Sequence, residues 1–295
     1  MTQNTTYIFM DGQFVPEEDA RISVKTHAFL YGTAVFEGIR GYWNQEEKCI
    51  YIFRMKEHFE RLEKSCKILF MDIPYTVNEF CEYTKELIKK NQPKTDTYIR
   101  PSVYKSNKGI GPTLYEGEDS SIIFTAPLGN YIDINKGLHV CVTSWRRLND
   151  LAIPPRAKIS GSYINTALVV TEARKSGFDD AIFLTESGKV AEGSAMNLFI
   201  VKNNQLITPM VTDGILEGIT RETIMSMAKD LGISVVERQI DRTELYNAQE
   251  AFFCGTGAQV APVTKIDHRN LADGKPGPIT TKLKDLYFEI VRGKV

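Results

Sequence analysis

A break in the apolar patterning at residues 127–136 constrains the fold of this chain more than any other feature. The run PLGNYIDINK places Gly, Asn and Asp between segments that alternate apolar and polar residues. With 295 residues, the chain is also too long for one simple hydrophobic core. We therefore expect two domains, at residues 1–126 and 137–295, joined by a linker at 127–136.

The composition is that of an ordinary globular protein and argues against several classes of partner. The 36 basic and 37 acidic residues give a net charge of -1, which provides no electrostatic case for binding nucleic acid or an anionic membrane. The five cysteines lack metal-like spacing, so we expect free thiols and no metal site. No stretch is long enough to cross a bilayer, and the first residues lack a signal-peptide pattern, so we expect a cytoplasmic protein.

Helix and strand patterns occur in both halves of the chain. Asp11-Gly12 is typical of a two-residue hairpin turn, and Thr76 with Glu79 predicts a capping box at the start of a helix. The turns at Ser187-Gly188 and Asn203-Asn204 predict antiparallel strands in the second half. In the strand pattern TDTYIRPSVYKS, Tyr98 and Arg100 share one face, because side chains alternate with period two.

The stretch HAFLYGTAVFEGIRGYW has two interpretations that its residues leave open. Its glycines and aromatic residues are too irregular for one helix and suit a tight core turn that leads into a strand. The same residues also suit the wall of a pocket that is partly apolar and partly polar. The candidates for that wall are Tyr31, Phe36, Gly38 and Arg40.

Lys158 stands in a short polar run just before a predicted amphipathic helix. With Ser162 as the cap and Gly177 as the left-handed stop, the apolar face comprises Ile164, Ala167, Leu168 and Ala173. A lysine that is partly neutral can attack a carbonyl carbon and form a Schiff base. Taken alone, an ordinary surface lysine is the simpler interpretation.

Two stretches have the chemistry to hold an anion. Glu217-Gly218-Ile219-Thr220 places a glycine, backbone N–H groups and a hydroxyl at a helix start. Gly255-Thr256-Gly257 offers further N–H groups in a turn. Each could be an ordinary cap or turn, and neither matches a nucleotide-binding loop. Together with Arg61 they could bind a phosphate monoester.

Glu192 lies in the run VAEGSAMNLF, between strands that otherwise pattern as core. It could face solvent, or it could be a carboxylate that pairs with a protonated heteroaromatic nitrogen. A Schiff-base lysine, a phosphate site and such a carboxylate are the three groups that pyridoxal phosphate requires. The combination is far more specific than any one of its parts.

Seven runs of the chain carry a family resemblance: HAFLYGTAVFEGIR, FRMKEHFERL, YIRP, RAKISGSYINTALVVTEARKSGFDDAIFL, VAEGSAMNLF, LEGITRETI and FFCGTGAQVAPV. They resemble the class IV (fold-type IV) pyridoxal-phosphate aminotransferases, and most of all the branched-chain amino acid aminotransferases. The resemblance covers nearly the whole chain in the expected order. It implies an α+β fold with a small N-terminal α/β domain and a larger C-terminal pseudobarrel domain. It also implies at least a homodimer and leaves open a homohexamer.

The resemblance gives each candidate residue a role. Lys158 corresponds to the catalytic lysine that bonds pyridoxal 5′-phosphate and moves a proton between the substrate Cα and C4′ of the cofactor. Glu192 corresponds to the partner of the pyridine nitrogen and Tyr163 to the donor to the 3′-oxygen. The remaining cofactor-binding residues are Arg61, Leu216, Gly218, Ile219, Thr220 and Thr256.

The substrate-binding residues implied by the resemblance lie in both predicted domains. Tyr31 and the loop around Ile110 are expected to come from the neighbouring subunit. The groups expected to receive substrate carboxylates are Tyr98, Arg100, Thr256 and Gly257. The pocket wall is expected to comprise Phe36, Gly38, Arg40 and Tyr131.

The implied reaction transfers the amino group between L-leucine, L-isoleucine or L-valine and 2-oxoglutarate. One arginine that can retract, Arg100 or Arg40, would let a single pocket accept both an apolar branch and a carboxylate. The chain departs from many bacterial relatives at Ser194-Ala195-Met196-Asn197, where those relatives carry a second acidic residue. The alternatives are a D-amino acid or (R)-amine aminotransferase, an aminodeoxychorismate lyase, and a non-catalytic protein on the same scaffold.

Overall fold

The computed structural model describes residues 5–115, 117–129 and 136–294, which divide into two compact units. The first unit comprises the described residues up to Gly129 and the later segment Ala157–Ser162. The second unit comprises the described residues from 136 to Arg156 and those from Tyr163 onward. Sequence patterns alone did not anticipate that residues 157–162 return to the first unit. Most of the proposed linker at 127–136, and with it Tyr131, lies outside the described residues.

The first unit is built on one antiparallel sheet, with the strand order β2-β1-β7-β6-β4-β5 and β3 paired to β6. Its strands in the described residues are β1 Tyr7–Met10, β2 Gln13–Pro16, β3 Ala34–Phe36, β4 Ile39–Asn44, β5 Cys49–Ile52, β6 Thr97–Lys105 and β7 Asp119–Pro127. Its helices are α1 His27–Tyr31, α2 Met55–Ile68 and α3 Val77–Asn91, with a 3-10 turn at Glu17–Asp19.

Local sequence signals account for much of the first unit. Asp11 and Gly12 both have positive φ, which confirms the two-residue turn between β1 and β2. Thr76 and Glu79 form the predicted capping box of α3. Helix α2 packs on α3 through Phe59 and Phe80, whose rings stack with their centroids 5.2 Å apart. The segment before β3 differs from the prediction, because it forms the short helix α1 instead of a bend.

The second unit is built on one mixed sheet, with the strand order β10-β9-β8-β15-β14-β11-β12-β13 and β16 paired to β15. Its strands in the described residues are β8 Leu138–Arg146, β9 Asp180–Leu184, β10 Val190–Gly193, β11 Asn197–Lys202, β12 Gln205–Thr208, β13 Ser234–Glu237, β14 Glu250–Gly255, β15 Gln259–Ile266 and β16 Arg269–Asn270. Its helices are α4 Tyr163–Lys175, α5 Ile219–Asp230 and α6 Pro278–Val291, with 3-10 turns at Val211–Asp213 and Arg242–Asn247. Helices and sheets together confirm the α+β class.

Helix α4 buries Ala173 of the predicted apolar face but otherwise turns a different side toward the sheet. Ile164 is 65% exposed and Leu168 is 41% exposed, and Ala167 is exposed as well. The buried residues are Asn165, Val169 and Ala173, and the last two pack with Ala181 and Phe183 of β9. Apolar residues occur on more than one side of α4, so periodicity alone could not identify the side that meets the sheet. The predicted stop at Gly177 is confirmed by its positive φ.

Three sequence-based exclusions can be compared with the described residues. No helix there is long and apolar enough to span a membrane, and no group of metal-ligating side chains occurs among them. The five cysteines are free thiols, as expected.

Glu37 and His58 are buried in the first unit beside the partly buried Arg61, and the three residues form what we call the Glu37 cluster. Burial raises the pKa of Glu37, but the charge of Arg61 and the hydrogen bonds from His58 and Arg61 outweigh that effect. The pKa of Glu37 therefore lies well below its usual 4.5. Burial lowers the pKa of His58 below its usual 6.5, against the opposing effect of Glu37.

The Glu37 cluster predicts that the chain loses stability in mild acid. Below pH 6.5 the unfolded chain takes up a proton at His58 that the folded chain does not, so the free energy of unfolding falls. Uptake at Glu37 of the unfolded chain adds a further loss below pH 4.5. Urea unfolding at a series of pH values measures the effect. His58→Gln is expected to flatten the dependence just below pH 6.5, and an unchanged slope would contradict the assignment.

Glu250 provides a second stability test, in the other unit. Its carboxylate is buried and accepts hydrogen bonds from Ile279 N at 3.1 Å and Thr280 N at 2.7 Å, at the start of α6. Glu250→Ala is expected to cost about 2–3 kcal/mol, because one buried and one partly buried N–H donor at a helix start lose their charged acceptor. Glu289→Ala, on the exposed side of the same helix, is the control. Equal shifts of the urea midpoint in both variants would contradict this role.

Candidate active site

Backbone pairing with β3 fixes the position of Lys158. Phe36 N donates to Lys158 O at 3.0 Å, and Gly161 N donates to Gly32 O at 3.1 Å. Gly32 has φ +70°, and a Cβ on it would lie 2.7 Å from Gly161 Cα. Glycine at these positions thus permits the close approach of the two backbones. Lys158 lies in this extended segment, and the Ser162 hydroxyl donates to Ile159 O at 2.7 Å.

The side chains around Lys158 in the first unit are aromatic and cationic. Lys158 Nζ lies 5.1 Å from the centroid of the Phe36 ring, and the Arg100 guanidinium carbon lies 4.1 Å from the same centroid. Arg100 Nε donates to the Tyr98 hydroxyl at 2.8 Å, which confirms that these two residues share a face of β6. A Cβ on Gly38 would lie 2.7 Å from the Tyr98 hydroxyl, so glycine leaves room for that ring.

Arg40 is engaged by the protein backbone. Its side chain is 2% exposed, and its Nη2 donates to Leu128 O at 3.0 Å and Gly129 O at 3.1 Å. Asp96 Oδ2 lies 3.6 Å from the same nitrogen. These contacts hold the guanidinium inside the first unit. Arg40 is therefore a buried cation that is paired with Asp96 and bonded to the backbone.

Tyr31 is the last residue of α1, and its hydroxyl accepts a hydrogen bond from Gly111 N at 3.1 Å. The imidazole Nε2 of His27, at the start of α1, donates to Gly111 O at 2.9 Å. The helix and the loop around Ile110 are thereby joined. Ile110 is 98% exposed and Tyr31 is 39% exposed in the chain. Their expected contribution to a neighbouring subunit stays a prediction.

Arg61 lies on α2 with its guanidinium against the carboxylate of Glu37, at 2.7 Å for both Nε–Oε1 and Nη2–Oε2. His58 Nδ1 lies 2.7 Å from Glu37 Oε2. Sequence analysis selected Arg61 but missed Glu37 and His58. The available signals were an acid between the two predicted pocket residues and a histidine three positions before the arginine, on the same side of the helix.

Glu192, on β10, is a buried carboxylate with several donors in the second unit. Arg147 Nε lies 2.8 Å from Oε1, whereas Oε2 accepts from Asn197 Nδ2 at 3.0 Å and from Leu216 N at 3.2 Å. Its exposure of 4% rules out the solvent-facing interpretation. Arg147 and Asn197 were not selected from the sequence, because nothing in a linear pattern marks them as partners of one carboxylate.

The predicted anion-binding helix start lies beside Glu192. Helix α5 is capped by Gly218, which has no side chain to cover the first N–H groups, and both Ile219 and Thr220 are buried. Asn197 Nδ2 also donates to Leu216 O at 2.9 Å, and a Cβ on Gly218 would collide with the same amide. The structure therefore brings together Glu192, Leu216 and the start of α5.

The other predicted site residues of the second unit lie at the start of a helix and in a turn between two strands. Tyr163 is the first residue of α4, and Thr256 and Gly257 form the turn between β14 and β15. The neighbouring Gly255 approaches the carbonyl of Ala195, which is 3.8 Å from the position of a Cβ. The turn thus packs beside the loop that follows Glu192.

Comparison with known proteins identifies the family of the chain. The family described as amino-transferase class IV matches residues 34–266. A protein of Aquifex aeolicus named "Probable branched-chain-amino-acid aminotransferase" is 47% identical over 290 residues, covering 98% of this chain and 93% of the relative.

Two solved structures match the chain at nearly full length. The branched-chain aminotransferase of Thermoproteus uzoniensis with norvaline has a TM-score of 0.94 and 44% identity, covering 98% of this chain and 96% of that one. The T.th. branched-chain amino acid aminotransferase complexed with N-(5′-phosphopyridoxyl)-L-glutamate has a TM-score of 0.93 and 39% identity, covering 99% and 95%.

The family match spans most of the chain, and the relatives are similar in both sequence and structure over almost all of it. The resemblance found in the sequence is confirmed, including the fold-type IV architecture. This chain belongs to the class IV aminotransferase family.

Proposed function

We propose that this protein transfers the amino group between L-leucine, L-isoleucine or L-valine and 2-oxoglutarate, with pyridoxal 5′-phosphate bonded to Lys158. The relatives named above support the substrate class, since one was solved with norvaline and another with a phosphopyridoxyl derivative of glutamate. The observation that carries the cofactor assignment is Glu192, a buried carboxylate supplied with three donors beside a helix start that is capped by glycine.

The donor sets of the chain fit pyridoxal phosphate. A buried carboxylate suits a protonated pyridine nitrogen, and an arginine with the N–H groups of a helix start suits a phosphate dianion. When bound, this cofactor supplies an aldehyde for covalent attachment and an aromatic ring that takes up electrons. The residues we assign to it are Lys158, Arg61, Tyr163, Glu192, Leu216, Gly218, Ile219, Thr220 and Thr256.

Each residue has a distinct task in the proposed reaction. Lys158 Nζ would take the proton from Cα of the amino acid and deliver it to C4′ of the cofactor in the same half-reaction, and it would move a proton in the opposite direction when 2-oxoglutarate reacts. Glu192 is assigned to the ring nitrogen, and the donors from Arg147, Asn197 and Leu216 fix the orientation of its carboxylate. Tyr163 is assigned to the 3′-oxygen, where its hydroxyl donates.

One set of side chains must accept both an apolar branch and a second carboxylate. The Phe36 ring presents an apolar surface, with Arg100 stacked on it and bonded to Tyr98. The engagement of Arg40 with Leu128 O and Gly129 O favours Arg100 as the arginine that moves. We assign the substrate carboxylates to Tyr98, Arg100, Thr256 and Gly257, and the side-chain wall to Tyr31, Phe36, Gly38, Arg40 and Tyr131. The homo-oligomer and the cytoplasmic location stay predictions.

Lys158→Ala is expected to abolish covalent cofactor binding and to lower the transamination rate by about 10²–10⁴-fold or more, because the proton acceptor at Cα is lost. Visible absorption and borohydride trapping followed by mass spectrometry measure the attachment. Lys175→Ala, which removes an exposed lysine of α4, is the matched control. Retained attachment in Lys158→Ala, or loss in Lys175→Ala, would contradict the assignment.

A half-reaction tests the substrate class. The cofactor-loaded protein is mixed with L-leucine alone, and the loss of its visible absorption is followed. Bleaching that 2-oxoglutarate restores is the expected result. Bleaching by D-alanine but not by L-leucine would instead indicate a D-amino acid aminotransferase. Release of pyruvate from aminodeoxychorismate without any added 2-oxo acid would indicate the lyase.

A further inference from the structure

The proposed reaction gives a task to Arg61 of the Glu37 cluster but none to Glu37 and His58. Glu37 is fully buried, and it lies between two residues assigned to the substrate wall, Phe36 and Gly38. Both of its carboxylate oxygens are directed at α2, where they meet Arg61 and His58. A buried charge is stable only when it is paired and hydrogen-bonded. The specific pairing of Glu37 therefore suggests that these residues have a role of their own.

The geometry of the cluster fixes the Arg61 guanidinium in one orientation. Two parallel N–H···O bonds of 2.7 Å make a bidentate fork, which sets both the plane and the direction of the group. His58 donates from Nδ1 to Glu37 Oε2 and thereby prevents the carboxylate from rotating. Because the fork uses the Nε–Nη2 edge, the Nη1 edge of the same planar group faces away from Glu37.

Stability alone is a weak reason for such a pair. The desolvation of two buried ions largely cancels their attraction, and an apolar pair of similar volume often serves stability as well. An arginine held in one rotamer, however, loses little conformational freedom when it binds an anion. The cluster therefore suits an arginine whose guanidinium is held in the orientation in which it binds an anionic ligand.

The backbone of Lys158 is tied to both parts of the cluster. Ser65, one turn after Arg61 on α2, donates to Arg61 O at 3.0 Å and accepts from Lys158 N at 3.3 Å. On the other side, Lys158 O accepts from Phe36 N, next to Glu37 in the chain. Within the first unit, the reactive lysine and the oriented arginine thus share one rigid frame.

We propose that Glu37 and His58 are positioning residues that orient Arg61 toward the phosphate of the cofactor. They make the affinity for the cofactor depend on its phosphate group. They also place the phosphate-binding arginine in a fixed position relative to Lys158, to which the aldehyde of the cofactor bonds. This inference rests on the proposed function, in which Arg61 contacts the phosphate.

The test compares pyridoxal phosphate with pyridoxal, which has the same aldehyde and ring but no phosphate. The full chain is freed of cofactor, and each compound is titrated in while visible absorption is followed. Glu37→Gln is expected to weaken binding of pyridoxal phosphate about tenfold, the value of one well-placed charged hydrogen bond, and to change pyridoxal binding less than about twofold. Glu57→Gln, which removes a half-exposed acid of α2 paired with Arg54, is the matched control and is expected to change neither.

A double-substitution cycle separates positioning from packing. In an Arg61→Ala background, Glu37→Gln is expected to cause no further loss that depends on the phosphate, because the oriented group is absent. If Glu37→Gln does not fold, as judged by circular dichroism, His58→Gln takes its place, with an expected phosphate-dependent loss of about threefold.

The remaining outcomes overturn the inference in ways that can be told apart. Equal losses for pyridoxal phosphate and pyridoxal, or no loss for either, would show that the cluster only packs the unit. A phosphate-dependent loss that persists without Arg61 would assign the effect to another residue. Failure of the unaltered chain to bind pyridoxal phosphate at all would overturn the proposed function and this inference with it.

Discussion

The pairing of residues 157–161 with β3 is the constraint on which the arrangement of the first unit depends. It fixes the Cα of Lys158 by backbone hydrogen bonds, whose directions do not depend on any side chain. A Cβ on Gly32 would lie 2.7 Å from Gly161 Cα, so the two backbone segments could not approach this closely with a larger residue at position 32. The role proposed for Lys158, to hold a cofactor and to transfer protons, requires a backbone that is fixed in this way.

In the second unit a single amide has the corresponding role. Asn197 Nδ2 donates to both the Glu192 carboxylate and Leu216 O, and its oxygen lies where a Cβ of Gly218 would be. The Glu192 carboxylate and the start of α5 are thereby held in a fixed position relative to each other. Arg147 completes the charge balance of Glu192 from the end of β8. The functional groups of each unit are thus oriented by neighbours that take no part in the proposed chemistry, which is how precise placement is usually achieved.

Sequence reasoning succeeded where a local signal was sufficient and failed where distant residues meet. The Asp11-Gly12 turn, the capping box of Thr76 and the shared face of Tyr98 and Arg100 follow from backbone preferences over a few residues. The candidate residues themselves came from a family resemblance across seven runs. The buried face of α4 could not be predicted, because its choice depends on which side meets β9. The ion pairs of Arg147 with Glu192 and of Arg61 with Glu37 were missed for a related reason, since pairs formed across tens of residues have no regular linear pattern.

Two arginines of neighbouring strands show how partners decide between similar residues. Arg40 and Arg100 were equal candidates in the sequence, and both belong to the first unit. To move, the Arg40 side chain, which is 2% exposed, would have to give up two carbonyl acceptors and Asp96, which is costly for a buried guanidinium. If Arg100 moves, it gives up its contact with the face of the Phe36 ring and one hydrogen bond to the Tyr98 hydroxyl. The loss of these two contacts costs less. A pocket that alternates between an apolar branch and a carboxylate requires the more loosely held arginine, and these contacts favour Arg100 over Arg40 for that proposed role.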